Sequence, residues 1–327
     1  MTEWVDAARV AAAVGALAFA SWTDLRSREV PDGLWYALAA AALALMALDF
    51  GARFGGDSWV LVIAVAAVFA VAVTGGEIIT VIPGDKVPEG PIDFTEAQKR
   101  VWLLDMLISA SMLAGAVGVF VVAPSLDLGT PGRPLSGPEA QAYAACLMMG
   151  AALVFYMMNA LHGGADAKGL MVLALLFPVA PAIAGLPLIP AGTLAVELLP
   201  FALVVFFNGA LIQVVAAPVW FGAVGLRNRQ FRWPLSLTGY AKPVEAINLE
   251  RDFLMGSLRG GEWKPHIILS RSAHSEARQK EGLEVIRESG AKTAFVSPKA
   301  PFMVFLLLGL VMAVVATSPL HWIGVPP

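Results

Sequence analysis

The chain has little charge and almost no cysteine. Only 14% of its 327 residues are charged, while 58% are hydrophobic, and this balance excludes an ordinary soluble globular domain. A single cysteine, Cys146, excludes both a disulfide framework and a cysteine-based zinc site. The net charge is only -3 and no basic stripe is present, so nothing points to nucleic acid as a partner. The composition is that of a multi-pass protein whose surroundings are a lipid bilayer.

Familiar catalytic motifs are also missing. The sequence has no H-E-x-x-H metalloprotease pair, no G-x-S-x-G nucleophile elbow and no phosphate-binding loop. We therefore expect neither a metal ion nor a cofactor. The first apolar stretch is not a typical signal peptide either, because Glu3 and Asp6 precede it and Arg26 and Arg28 follow it. This order of charges predicts a retained first helix.

Apolar stretches of about 20 residues are long enough to cross a bilayer, and they predict an all-α polytopic protein with about eight transmembrane helices. They lie near 5–23, 33–49, 58–82, 101–123, 139–161, 168–187, 194–219 and 301–319. We predict three regions: helices one to seven within 1–225, a small soluble subdomain at 226–299, and the last helix with the C-terminus in 300–327. Within the subdomain we expect a charged helix at 276–288 and a short strand at 266–269.

The distribution of lysine and arginine predicts the orientation. With eight spans and the N-terminus outside, 19 of the 22 basic residues fall on one side, including 13 in the segment 227–299. Lysine and arginine collect on the cytoplasmic side of membrane proteins. We therefore expect both termini outside and the subdomain in the cytoplasm.

Two polar segments at predicted membrane boundaries contain the candidate catalytic residues. The first runs from Ser21 to Arg28 and holds Asp24, and the second runs from Leu161 to Lys168 and holds Asp166. Four crossings separate them, so both carboxylates belong to the cytoplasmic face. Two neighbouring carboxylates cannot both ionise easily, so one keeps a proton while the other acts as base on a shared water. Asp24 and Asp166 are the predicted catalytic pair.

Each of these residues also has a structural explanation. Asp24 is equally compatible with a solvated helix end or with an anchor formed with Arg26 and Arg28. Asp166 follows Gly163 and Gly164, which permit close approach of another segment, and it opens a helix. Other polar residues in or near the hydrocarbon leave open a transporter with a polar pathway; they are Glu77, Asp105, Asn159 and Asn208.

The two segments resemble the motifs of archaeal preflagellin and prepilin peptidases, which are membrane aspartyl proteases of the GxGD type. Asp24-Leu-Arg-Ser-Arg-Glu-Val-Pro-Asp32 is similar to the first-aspartate motif of that family, and Gly163-Gly-Ala-Asp-Ala-Lys168 to the second. Weaker matches follow at 206–210 and 297–302. The pattern departs in one place, because Ala165 stands where the family has glycine.

The resemblance implies an aspartic endopeptidase that removes the leader from type IV pilin or archaellin precursors at the cytoplasmic membrane face. Asp24 and Asp166 would be catalytic, and Arg26, Arg28, Gly163, Gly164, Ala165 and Lys168 would shape the site or contact the substrate. With one cysteine, the chain lacks the cytoplasmic cysteine segment linked to N-methylation, so we expect proteolysis alone. A presenilin-like or signal-peptide-peptidase-like protease is a second possibility, although its Tyr-Asp and Pro-Ala-Leu motifs are absent.

Overall fold

A computed structural model describes residues 2–55, 58–80, 137–157, 161, 164–183, 186, 200–259, 262–265, 276–299 and 301–316. These residues are mostly helical. The helices are α1 (Thr2–Ser27), α2 (Asp32–Phe54), α3 (Trp59–Thr80), α4 (Pro138–Met157), α5 (Gly164–Leu176), α6 (Phe201–Arg227), α7 (Glu276–Glu288) and α8 (Phe302–Ala316). The strands are β1 (Tyr240–Pro243), β2 (Asp252–Leu254), β3 (Ser257–Arg259), β4 (Glu262–Lys264) and β5 (Thr293–Pro298).

By length and composition, three of these helices can cross a membrane: Glu3–Ser27, Asp32–Phe54 and Phe201–Arg227. Shorter apolar helices cover Trp59–Val73, Gln141–Tyr156 and Phe302–Ala316. These findings indicate a membrane protein. Seven of the eight predicted spans coincide at least in part with described helices, and the span at 101–123 lies outside the described residues.

The sixth predicted span is the one that differs most from the observed helix. The prediction continues to 187, whereas α5 ends at Leu176. Pro178 follows two residues later, and proline disfavours helical angles in the residue before it and cannot donate a helical hydrogen bond. The proline therefore accounts for the early end of α5.

The chain divides into two compact units, and the boundary falls within α6. The first unit comprises Met1–Ala210 and Phe302–Pro327. At its centre is α5, whose residues Gly169 to Leu176 are all buried. A helix that is apolar on every side is expected at the middle of a bundle, and α5 indeed contacts α1, α2, α3 and α4. The helix that begins with the second polar segment is thus the central helix of this unit.

Close backbone packing joins α6 and α8 within the first unit. A Cβ added at Gly209 would lie 2.7 Å from the carbonyl oxygen of Phe305, and one added at Gly309 would overlap the carbonyl oxygen of Val205. Small residues allow helices in membranes to approach closely. The ring of Phe206 in α6 also lies 6.1 Å from the ring of Phe302 in α8.

The second unit, Leu211–Pro301, contains the five strands and α7. One sheet is antiparallel with the order β1-β5-β2, and β3 pairs with β4 in a separate hairpin. β5 lies in the middle of the larger sheet, opposite β1 with Tyr240 paired to Val296 and opposite β2 with Leu254 paired to Val296. Helix α7 coincides with the predicted charged helix at 276–288, which is confirmed. The predicted strand at 266–269 lies outside the described residues.

The core of the second unit lies between α7 and the larger sheet. Leu283 and Ile286 of α7 pack with Leu254 of β2 and Val296 of β5. The side chain of Trp263 fits against two glycines, because an added Cβ at Gly256 or at Gly282 would overlap the indole.

Candidate functional site

Asp24 lies in the last turn of α1 and is half-buried. Its carboxyl group accepts a hydrogen bond from the backbone N–H of Met303, the second residue of α8, and interacts electrostatically with Arg28. The first backbone N–H groups of a helix have no partner within the helix. Asp24 therefore provides an acceptor for one of these groups in α8.

Arg28 directly follows the last residue of α1, and its backbone is hydrogen-bonded to Asp24. Its backbone N–H donates to the carbonyl oxygen of Asp24 at 3.1 Å, and its φ of 61° lies in the left-handed region. Helices often end on one residue of this conformation, and the residue is usually glycine. An arginine at this position adds a positive charge that interacts electrostatically with the carboxylate of Asp24.

Arg26 points to a different neighbour. It is exposed, and its guanidinium carbon lies 5.5 Å from the centre of the Trp22 ring. The two arginines of the first segment are thus not equivalent. Arg28 belongs to the surroundings of Asp24, whereas Arg26 lies over an exposed aromatic ring at the end of α1.

The second polar segment opens α5. The helix begins at Gly164, so Asp166 is in its first turn and is half-buried, and Ala165 packs against the core of the first unit. Gly163 and His162 lie outside the described residues. A carboxylate in the first turn of a helix is favoured by the positive end of the helix dipole.

Ala165 is accommodated by the helix. It is the second residue of α5, and alanine has the highest helix propensity of any residue. The departure from the family pattern at this position therefore needs no unusual backbone angle. Glycine would be required here only if φ were positive.

Lys168 forms an ion pair that connects the two aspartate motifs, Asp24–Asp32 and Gly163–Lys168. Its Nζ lies 2.8 Å from Oδ1 of Asp32, a residue 136 positions earlier in the sequence, at the start of α2. The Lys168 side chain is mostly buried, with 12% of its surface exposed, and Nζ also lies 5.7 Å from the centre of the Tyr36 ring. The last residue of the first motif thus forms an ion pair with the last residue of the second.

Close packing supports this connection one residue further along α5. A Cβ at Gly169 would lie 3.1 Å from the ring of Trp35, which is 1% exposed. The glycine allows the buried indole of α2 to lie directly against α5. The ion pair and this packing hold the start of α5 against the start of α2, which follows the loop after Asp24.

The direct meeting of the Asp24 and Asp166 carboxyl groups, together with the catalytic roles assigned to them, stays a prediction. The structure joins the segments that carry the two residues through Lys168 and Asp32. The described residues contain no cluster of three or more histidine, cysteine, aspartate or glutamate side chains suited to a metal ion.

A second polar cluster was not foreseen from the sequence. Arg9 donates hydrogen bonds to Asp6 at 3.0 Å and to Asp49 at 3.2 Å, and all three residues are buried. Asp49 also pairs with Arg53 at 2.6 Å, and Asp6 accepts the backbone N–H of Ala182 at 2.9 Å. The sequence indicates the pairs within each helix, because Asp6 and Arg9 are three residues apart and Asp49 and Arg53 are four apart. It does not indicate the pairing between α1 and α2.

Four polar residues were named above for a possible transport pathway. Asn208 is fully buried in α6, whereas Asp105, Asn159 and the side chain of Glu77 lie outside the described residues.

No protein-family model and no curated protein matches the chain.

Proposed function

We propose that this chain is a membrane aspartyl endopeptidase that removes the short leader of type IV pilin-like or archaellin precursors at the cytoplasmic membrane face. The observation that carries the proposal is the ion pair between Lys168 and Asp32. It joins two segments, far apart in sequence, that each resemble one aspartate motif of the same peptidase family. Membrane-embedded ionisable groups are rare and usually functional, which adds weight to the two half-buried aspartates.

In the proposed reaction, Asp24 and Asp166 share the work of acid and base. The ionised carboxylate takes a proton from water while the water oxygen attacks the scissile carbonyl carbon, and the protonated carboxyl group donates its proton to the carbonyl oxygen. The tetrahedral intermediate then collapses and the C–N bond breaks. The leaving nitrogen takes the proton that the first carboxylate removed from water, and a hydroxyl group of the intermediate returns a proton to the other carboxylate. Met303 and Arg28 would orient the carboxyl group of Asp24 during these steps.

The contact between Asp24 and Met303 also allows a purely structural role, in which Asp24 caps α8. The substitution Asp24→Asn separates the two roles, because an asparagine oxygen can still accept the Met303 N–H but its amide cannot serve as a general base. A cap therefore tolerates asparagine, whereas a catalytic carboxylate does not.

The experiment uses membranes that contain the wild-type chain, Asp24→Asn, Asp166→Asn or the control Glu29→Gln. Glu29 is an exposed carboxylate in the loop that follows α1, five residues after Asp24. Each membrane is incubated with a panel of leader-bearing precursors, and new N-termini are mapped by mass spectrometry. We expect cleavage by wild type and Glu29→Gln, and none by either aspartate variant at equal membrane insertion. Full cleavage by one aspartate variant would contradict the catalytic pair.

A further inference from the structure

The second unit contains a cavity of about 540 Å³ that the proposed peptidase mechanism does not use. This volume falls within the range of about 300–1,000 Å³ that is typical of small-molecule sites. Most of the lining residues are apolar. They belong to the segment after α6 and to β1, β4, β5, α7 and the adjoining turns, and they include Ala241, Trp263, Ile286 and Phe295.

The charges on the wall are of one sign. The described lining residues include Arg229 and Arg232 and contain no aspartate or glutamate. The guanidinium carbon of Arg232 lies 5.7 Å from the centre of the Phe295 ring, so this side chain rests on the aromatic part of the wall. Guanidinium groups match the geometry of phosphate oxygens and can donate two hydrogen bonds at once. An apolar cavity with two arginines therefore suits an anion that also has an apolar part.

Arg229 is held at the cavity by an unusual backbone conformation. Helix α6 ends with a pair of hydrogen bonds, from Arg229 N to Leu226 O at 3.1 Å and from Gln230 N to Gly225 O at 2.9 Å. This pattern places Arg229 at the position normally taken by glycine, and its φ is 55°. A non-glycine residue pays a conformational cost here. Glycine would fit this backbone position without that cost, so the backbone alone does not account for an arginine here.

The cavity wall begins two residues after an apolar helix that can cross a membrane. Trp233 and Phe231 are exposed in the same segment, at 73% and 40%. Exposed aromatic residues beside basic ones are typical of a membrane interface, where arginine is attracted to anionic headgroups. The segment therefore combines the residues of an interface with those of an anion site.

We propose that this cavity is a binding site for an organic phosphate that has an apolar portion and a net negative charge, held by Arg229 and Arg232. An anionic phospholipid and a soluble phosphate ester share this chemistry. The site is independent of the proposed peptidase activity, since none of its residues belongs to the aspartate segments.

The test titrates the detergent-solubilised full chain with dihexanoylphosphatidylglycerol and measures affinity by calorimetry. Phenyl phosphate, which also has an apolar part, tests whether the ligand is a soluble phosphate ester. Dihexanoylphosphatidylcholine, whose choline cancels the charge of the same phosphate, tests whether binding requires a net negative charge. We expect the anionic lipid or the soluble ester to bind, and the neutral lipid to bind at least tenfold more weakly. If the anionic lipid binds more tightly than the ester, the ligand of the cavity is a lipid. If the ester binds as tightly as the anionic lipid, the ligand is a soluble phosphate ester. Either supports the proposal.

The informative variant is Arg229→Gly, because glycine suits the left-handed angle and keeps the helix end intact. Arg227→Gln is the matched control, since Arg227 is also an arginine at the end of α6 but does not line the cavity. We expect Arg229→Gly and Arg232→Gln each to weaken binding about tenfold or more and Arg227→Gln to leave it unchanged. Absence of binding, equal binding of the neutral lipid, or an equal effect of the three variants overturns the proposal.

Discussion

The buried ion cluster of α1 and α2 allows a quantitative test of the fold. We consider the substitution Arg9→Met, which keeps a long side chain but removes the charge. It abolishes the hydrogen bonds to Asp6 and Asp49, whose side chains are 6% and 2% exposed. Removing one member of a buried ion pair typically costs about 3–5 kcal/mol, because a charge is left buried without its partner. Asp49 retains Arg53, so we expect about 3 kcal/mol.

The matched control is Arg53→Met. The Arg53 side chain is 29% exposed, and its loss leaves Asp49 paired with Arg9, so we expect a cost of about 1 kcal/mol or less. A third variant, with Asp6→Asn and Asp49→Asn added to Arg9→Met, removes the stranded carboxylates and should recover part of the lost stability.

The assay is equilibrium unfolding in mixed micelles, followed by far-ultraviolet circular dichroism. A cost of 3 kcal/mol corresponds to a change of more than a hundredfold in the unfolding equilibrium constant, which this measurement resolves easily. If Arg9→Met and Arg53→Met cost the same, or if the triple variant is no more stable than Arg9→Met, the ion cluster does not exist as the structure shows it.

Two further predictions concern contacts between helices. A double-mutant cycle with Lys168→Met and Asp32→Asn should give a coupling energy of about 0.5–1 kcal/mol in the same unfolding assay, as expected for a partly exposed ion pair; strictly additive effects would show that the two segments are not joined. Gly309→Ala should cost about 1–3 kcal/mol in thermal unfolding, because the new Cβ would overlap the carbonyl oxygen of Val205. Gly15→Ala, where the Cβ meets open space, should be neutral or slightly stabilising.

The apolar helices were predictable because the signal is local. Hydrophobic stretches near 5–23, 33–49 and 194–219 coincide with the three helices that can cross a membrane. Local sequence also predicted α7, where charged residues alternate with the few apolar ones that face the core. The end of α5 was missed because the predicted span followed hydrophobicity past Pro178 to residue 187.

The larger sheet of the second unit was not predictable from the sequence. Its strands are three to six residues long, and Tyr240 pairs with Val296, more than fifty positions away. Short strands without clear alternation give a weak periodic signal, and their pairing depends on tertiary packing. The sequence therefore indicated a subdomain in this region but not its topology.

For the candidate site, the sequence identified the motif residues but not all of their partners. Asp24, Asp166 and Lys168 were recognisable from their positions at the ends of apolar stretches. The sequence indicated Asp32 only as the last residue of a motif, and no pattern in the sequence indicated Met303. Both contacts depend on helices that are distant in sequence, so only the fold could reveal that α2 supplies the partner of Lys168 and α8 that of Asp24.

The two ends of the α1–α2 pair have different chemistry, and this difference argues for the location of the site. Arg9 and Asp24 are fifteen residues apart on one helix, which corresponds to about 22 Å, so the two groups of polar residues lie far apart along α1. At the first end, two arginines pair with two buried aspartates, whose side chains are 6% and 2% exposed, so neither carboxylate is accessible to a substrate. At the other end, Asp24 and Asp166 are only half-buried. Of these two ends, the second has partly accessible carboxylates, which the proposed activation of water would require.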